Sequence, residues 1–374
     1  MAPGPRAPWR RLLLALALVP AQVGLVFAGA LWPRSDAWMV TTVGAIAALA
    51  LAQIALGALA VRDGVRAHRA GARSGLLAAA AGALTSGLGA CCGWFGVLFG
   101  LFAGGGGWGR PLRVRGRQLH PELRLGSDWT RGARPDASGL DPATRRALEA
   151  LWLHDAQKEH ASVPAFARLS WLLAACGAPA ELLAWSHRAA LEEIEHAELC
   201  FALAAGYGGR AHTVEPMPEL LVASPDARGH ALATLATESL ADGCLLEDFN
   251  ADIAAAGAAV CEEPVTRAVL EQIAREERSH AEFSWAVVAW ALAHDPAATA
   301  PALAAAATRL ERYRRPTAVS RRAAPLVARA DAEQLRRHGR LCDARWAEAW
   351  SARLAATAAR VESLLKTAEA VVAR

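Results

Sequence analysis

Residues 191–200 read LEEIEHAELC and residues 275–284 read REERSHAEFS. Both carry Glu-Glu-x-x-His-Ala-Glu, so in each a Glu stands three residues before a His: Glu193 with His196, and Glu277 with His280. Residues three apart share one face of a helix. Each copy therefore offers a carboxylate and an imidazole to one point in space.

Stepping outward by threes and fours from the second copy gives Leu270, Ile273, Glu277, His280, Ser284 and Val287, an apolar stripe interrupted by one polar pair. The first copy gives Leu182, Ala189, Glu193, His196, Cys200 and Leu203. If both stripes face a core, the carboxylates on them must be compensated, because an unpartnered buried charge is costly. Two further stripes supply candidates. Trp152, Ala156, Glu159, Val163 and Phe166 contain one acid, as do Leu240, Cys244, Glu247, Ala251 and Ala254. Glu159 precedes Glu193 by 34 residues and Glu247 precedes Glu277 by 30, so the chain reads as one helical hairpin written twice.

The helix limits follow from their punctuation. Asp141 is an N-cap candidate with Pro142 at the first helical position, and that helix stops at the GAPA of residues 177–180, with Pro164 expected to kink it. A second helix begins at Pro179 and ends at GYGG. A third is expected to be capped by Ser224, followed by Pro225, and to reach about Gly257, and a fourth runs from Pro264 to Pro296. No alternating segment reads as a strand. The fold class is all-α: a four-helix bundle over 141–296, preceded by a turn-rich linker at 110–140 and followed by a helical extension at 297–374. The last helix, from Ala344, carries the stripe Trp346, Trp350, Leu354, Val361, Leu364, Ala368 and Val371. Such a face docks on the bundle more often than it forms a homodimer seam or a membrane-surface helix.

In Glu159, Glu193 with His196, Glu247, and Glu277 with His280, residues 141–293 resemble the ferritin-like superfamily of di-iron carboxylate proteins. That superfamily includes bacterioferritin, rubrerythrin and the small subunit of ribonucleotide reductase; its pattern is one Glu from each of two helices and Glu-x-x-His from each of the other two. The resemblance implies two iron ions bridged by Glu193 and Glu277, with Glu159 and His196 at one end and Glu247 and His280 at the other. Manganese suits the same oxygen and imidazole donors. It further implies an O₂-activating oxidoreductase, an oxidase or hydroxylase. A peroxide scavenger, a ferroxidase and a non-catalytic metal-binding membrane protein are the alternatives. No flavin, nicotinamide or iron–sulfur signature is present, so the electron donor would be a separate partner.

The neighbouring polar residues are read more plainly. Glu192, Glu195, Glu198, Glu276 and Glu282 read as solvated acids, Glu238 is the rival of Glu247, and His160 points about 100° away from Glu159. Asp155, one turn before Glu159, is either exposed or bonded to a ligand. Cys200 and Cys244 read as small buried hydrophobes, with pocket-lining thiols as the alternative.

Hydrophobic residues make up 54% of the 374, concentrated in runs at 12–32, 37–61 and 75–103. The first two are long enough to span a bilayer, although 12–32 also has the layout of a signal peptide. The third is rich in Gly and Ala and would span or lie at the surface. Residues 1–109 are thus expected to anchor the protein in a membrane beside a lipid-soluble substrate. Arginines at 110, 113, 115, 117 and 124 favour a cytoplasmic bundle. A net charge of +4 without a basic, aromatic-laced run argues against nucleic acid. The seven cysteines show no Cys-x-x-Cys pair and no disulfide framework.

Overall fold

The computed structural model describes residues 13–14, 36–69, 77, 80–81, 83–84, 109–114, 117–222, 230–313, 315–320 and 322–372. The chain divides into two compact units, Met1–Gly104 and Gly105–Arg374. In the first, α1 spans Asp36–Arg69. The apolar runs at 12–32 and 75–103 lie almost wholly outside the described residues, as do the side chains of 36–47. Among the described residues no helix is long and apolar enough to cross a membrane.

The second unit is predominantly helical. Helix α2 (Pro142–Ala175) begins where expected: the Asp141 carboxylate accepts the backbone N–H groups of Ala143 and Thr144 at 2.8 and 3.1 Å, satisfying donors that the first turn leaves free. It continues through Pro164 as one helix. Helix α3 (Ala180–Gly208) ends on Gly209, whose φ of 72° a residue with a Cβ would resist. The third segment is compound: α4 (Ala231–Glu238), a π-helical stretch (Ser239–Glu247) and α5 (Asp248–Val260). Helix α6 (Pro264–His294) is capped by Glu263, which accepts the Thr266 N–H at 2.6 Å. The cap expected at Ser224 lies outside the described residues.

These four segments share one core. Trp152 and Phe166 from α2, Phe201 and Leu203 from α3, Leu240 and Phe249 from the third segment, and Phe283 and Val287 from α6 are fully buried in it. Burying a side chain of this size contributes roughly 2–3 kcal/mol. All six members of the α6 stripe are inaccessible to solvent.

Two expectations are corrected. Residues 110–140 are not merely a linker, and strands exist: β1 (Arg113–Val114) pairs with β2 (Arg117–Gln118), and β3 (Leu123–Leu125) pairs antiparallel with β4 (His212–Val214). Pairings two or three residues long leave no alternation to detect.

The C-terminal extension includes α7 (Pro296–Ala307), α8 (Ala324–Val327), α9 (Ala332–Arg337) and α10 (Asp343–Val372). Helix α10 docks on the bundle: Trp346 and Trp350 meet the Phe249 ring edge-on at 5.5 and 5.1 Å. Arg353 pairs with Asp248 and Asp252, and Arg360 pairs with Glu282 while stacking on Trp285.

Candidate metal centre

The pattern of threes and fours brings six ligand-type side chains to the core. Glu159 comes from α2, Glu193 and His196 from α3, Glu247 from the end of the π stretch, and Glu277 and His280 from α6; all six are fully buried. One donor atom from each of Glu159, Glu193, His196 and Glu277 lies within 4.8 Å of the others, and the same holds for Glu247, Glu277 and His280. Glu277 belongs to both groups. Glu193 also faces both, with one oxygen 3.7 Å from His196 Nδ1 and the other 3.4 Å from His280 Nδ1.

The outer nitrogens explain why each motif begins with a doubled Glu. His196 Nε2 lies 2.7 Å from Glu276 Oε2, and His280 Nε2 lies 2.8 Å from Glu192 Oε2. The first Glu of each motif thus holds the His of the other. This corrects the reading of Glu192 and Glu276 as merely solvated. Their partners lie across the bundle, beyond the reach of a search along one helix. Because the carboxylates accept, each Nε2 carries a proton and each Nδ1 is free to bind a cation when the ring is neutral.

The π stretch affects Glu247. A π turn holds more residues than an α turn and changes which face later residues present, yet the whole stripe Leu240, Cys244, Glu247, Ala251 and Ala254 is buried and Glu247 reaches the cluster. Gly243, inside the stretch, lies against Ser284 of α6, where a Cβ would collide with the Ser284 hydroxyl.

A segment that periodicity missed closes one side. Gly109, at φ 79°, passes so near α2 that a Cβ would sit 2.8 Å from Glu159 Oε2. With its amide oriented to satisfy both partners, Asn250 accepts the Gly109 N–H at 2.7 Å and donates to Leu246 O at 3.3 Å. Arg110 is only 5% exposed, and its Nη1 lies 3.7 Å from Glu247 Oε1. Arg110 is thus packed into the bundle, and Arg113 pairs with Asp242 at 2.7 Å. The Gly-rich sequence before Arg110 signals close backbone approach, but not to what.

The electrostatics are those of a cation site. Burial and repulsion from Glu193 hold Glu159 and Glu277 well above the usual carboxylate range. Burial lifts Glu247 to about 7 despite Arg110. Burial opposes ionisation of Glu193, yet the two facing imidazoles bring it down to about 2. Burial alone would lower both histidines, but their carboxylate partners raise His196 to about 10 and His280 to about 9. Protons thus stand in for positive charge. Both oxygens of Glu159, Glu193, Glu247 and Glu277, and both histidine Nδ1 atoms, have no hydrogen-bond partner. Oxygen and imidazole donors left open in a buried, acidic cluster could hold a metal ion.

The other candidates fall outside the cluster. Glu238 pairs with Arg168, one of its two contacts being 3.1 Å. Asp155 turns to Arg340 at 2.6 Å rather than to a ligand, and that guanidinium stacks on Trp152 at 3.9 Å. His160 packs edge-on against Trp129. Glu195 accepts from Gln272, and Glu198 lies 3.4 Å from Arg131. Cys200 and Cys244 are fully buried, and burial raises both thiols well above their ordinary range, which leaves them protonated and weakly nucleophilic.

No family model matches the chain, and neither a curated protein nor a solved structure matches it.

Proposed function

We propose that the chain is a di-iron carboxylate oxidoreductase of the ferritin-like kind, using O₂. Glu159, Glu193, His196, Glu247, Glu277 and His280 hold two iron ions; manganese fits the same donors. The observation that carries this reading is the pair of adjoining donor groups sharing Glu277, with no inward-facing donor atom making a hydrogen bond.

The six residues would hold two such ions, and the chemistry the ions would supply there is reduction of O₂. The chain supplies the rest. Glu192 and Glu276 fix the imidazole rings and keep a proton on each Nε2. Phe166, whose ring meets His280 edge-on at 5.3 Å, belongs to the fully buried apolar wall that excludes water. An unidentified partner would deliver electrons.

Membrane attachment is part of the proposal. It rests on the sequence alone: the apolar run at 12–32, which lies almost wholly outside the described residues, has the roughly 20 apolar residues that a helix needs to cross the bilayer hydrocarbon. A lipid-soluble substrate and a cytoplasmic bundle belong to the same reading. Release of the full chain from membranes by alkaline carbonate would overturn this attachment.

The deciding experiment is metal content of the purified full chain beside a Glu193→Ala, Glu277→Ala double variant. About two irons per chain, lost in the variant, are expected. No metal after anaerobic, iron-replete preparation would remove the reading. Oxygen uptake with iron alone would favour a ferroxidase, and turnover of peroxide a scavenger.

A further inference from the structure

Arg110 breaks the near-symmetry of the repeated hairpin. Three elements hold it in place. Its carbonyl accepts the Ser162 hydroxyl of α2 at 3.0 Å, and its Nη1 donates to the Ser284 hydroxyl of α6 at 3.3 Å. In the π stretch, Gly243 leaves room for it, since a Cβ there would stand 3.0 Å from Nη1. The guanidinium also lies 5.4 Å from the centre of the Phe166 ring. A side chain fixed this way, 5% exposed and 3.7 Å from Glu247, is a built-in cation rather than a stray surface charge.

The other half has no ion pair of this kind. Among the described residues, no other Lys or Arg forms an ion pair with any of the four ligand carboxylates. Lys158, next to Glu159 in sequence, is buried and feels the charges of Asp155 and Glu159, but its Nζ forms no hydrogen bond and no ion pair with a ligand carboxylate. The Arg110 charge sits on the side of Glu247.

We propose that Arg110 makes the two halves of the centre unequal, so that the half built on Glu247 and His280 takes its divalent ion second and more weakly. Arg110 acts here as a positioning residue: it holds the Glu247 carboxylate in an ion pair that an incoming cation must share, and it repels that cation across a few ångströms of protein. The inference rests on the two-metal reading above.

The test is anaerobic titration of the full-length chain in detergent with Co²⁺, followed by calorimetry and by the visible absorption of the bound ion. The wild type is expected to show a tight and a weak site, with Glu159→Ala abolishing the tight one and Glu247→Ala the weak one. Arg110→Gln should tighten the weak site at least about 10-fold by removing a like charge a few ångströms from the ion, and leave the tight site unchanged. Arg110→Lys keeps the charge and should keep the gap, which guards against misfolding of the Gln variant. Two equal sites in the wild type, or an unchanged gap in a folded Arg110→Gln, would overturn the inference while leaving the metal centre intact. Failure of the wild type to bind Co²⁺ at all would instead bring down the two-metal reading, and this inference with it.

Discussion

Glu192 accepts the Nε2–H of His280 at 2.8 Å, although the two residues lie 88 positions apart on different helices. Its counterpart joins Glu276 to His196 at 2.7 Å. The motif is therefore reciprocal: each copy contributes a buried Glu and His to the cluster and one brace for the other copy. Removing a brace should weaken metal binding at the opposite copy's His. Glu192→Ala is expected to loosen the half containing His280, and Glu276→Ala the half containing His196, each by roughly 10- to 100-fold. Metal titration of the two variants checks this. If Glu192→Ala weakened the His196 half instead, the pairing would be wrong.

Glu238 and Glu247 should separate cleanly. Glu247→Ala is expected to cost one of two bound metals. Glu238→Ala should keep both and lower stability by only about 0–1 kcal/mol, since the ion pair with Arg168 is about one-third exposed at each partner. Metal content and denaturant unfolding of the two variants, measured together, decide the matter.

Much of this was legible in the sequence because it obeys a period. The four stripes placed Glu159, Glu193, His196, Glu247, Glu277 and His280, and the Asp141–Pro142 cap fixed a helix start. What was missed does not obey a period. Glu192 and Glu276 find partners across space, so each looks solvated when its own helix is read alone. Arg110 enters by a loop, and Asp155 is drawn off by Arg340, a residue 185 positions away. The π stretch carries no signal beyond Gly243 inside a helical pattern, which is weak by itself. Strand pairings such as Leu123 with Val214 join segments too short to announce themselves.

The docked C-terminal helix should contribute substantially to stability. Trp350 is 6% exposed and lies against Phe249. Truncating a buried aromatic costs about 3–5 kcal/mol, so Trp350→Ala should unfold at markedly lower denaturant. A change below about 1 kcal/mol would show that α10 docks only loosely, and would restore the homodimer or membrane-surface reading of its stripe.

The buried thiols give a cheaper check on packing. Cys342 is exposed, whereas Cys200 and Cys244 are sealed in the core. An alkylating reagent applied to the folded chain and mapped by peptide mass should label Cys342 within minutes and reach the other two only after denaturation. Early labelling of Cys200 would mean that the wall beside His196 opens, and would revive the pocket-lining role for that thiol.

The protons in the metal-free cluster predict how metal stabilisation should depend on pH. His196 and His280 stand at about 10 and 9, above their ordinary 6.5, and Glu247 stands at about 7, above 4.5. A group raised on folding contributes its full stability below its unfolded value and loses it as pH climbs through the folded one. The Glu247 contribution therefore fades between about pH 4.5 and 7, and those of the histidines between about 6.5 and 10. Glu193, lowered to about 2, works in the opposite sense, but its contribution is lost only below 4.5 and does not enter this window. From pH 6 to pH 9 the metal-free protein should therefore lose stability. The metal-bound form has already shed the protons on its inward-facing donors and should not lose stability in this way. The rise in Tm on adding Mn²⁺ should accordingly grow from pH 6 to 9, and proton release on binding should be greatest at the acid end. A Tm shift that stayed constant or shrank with rising pH would show that the six residues do not exchange protons for metal.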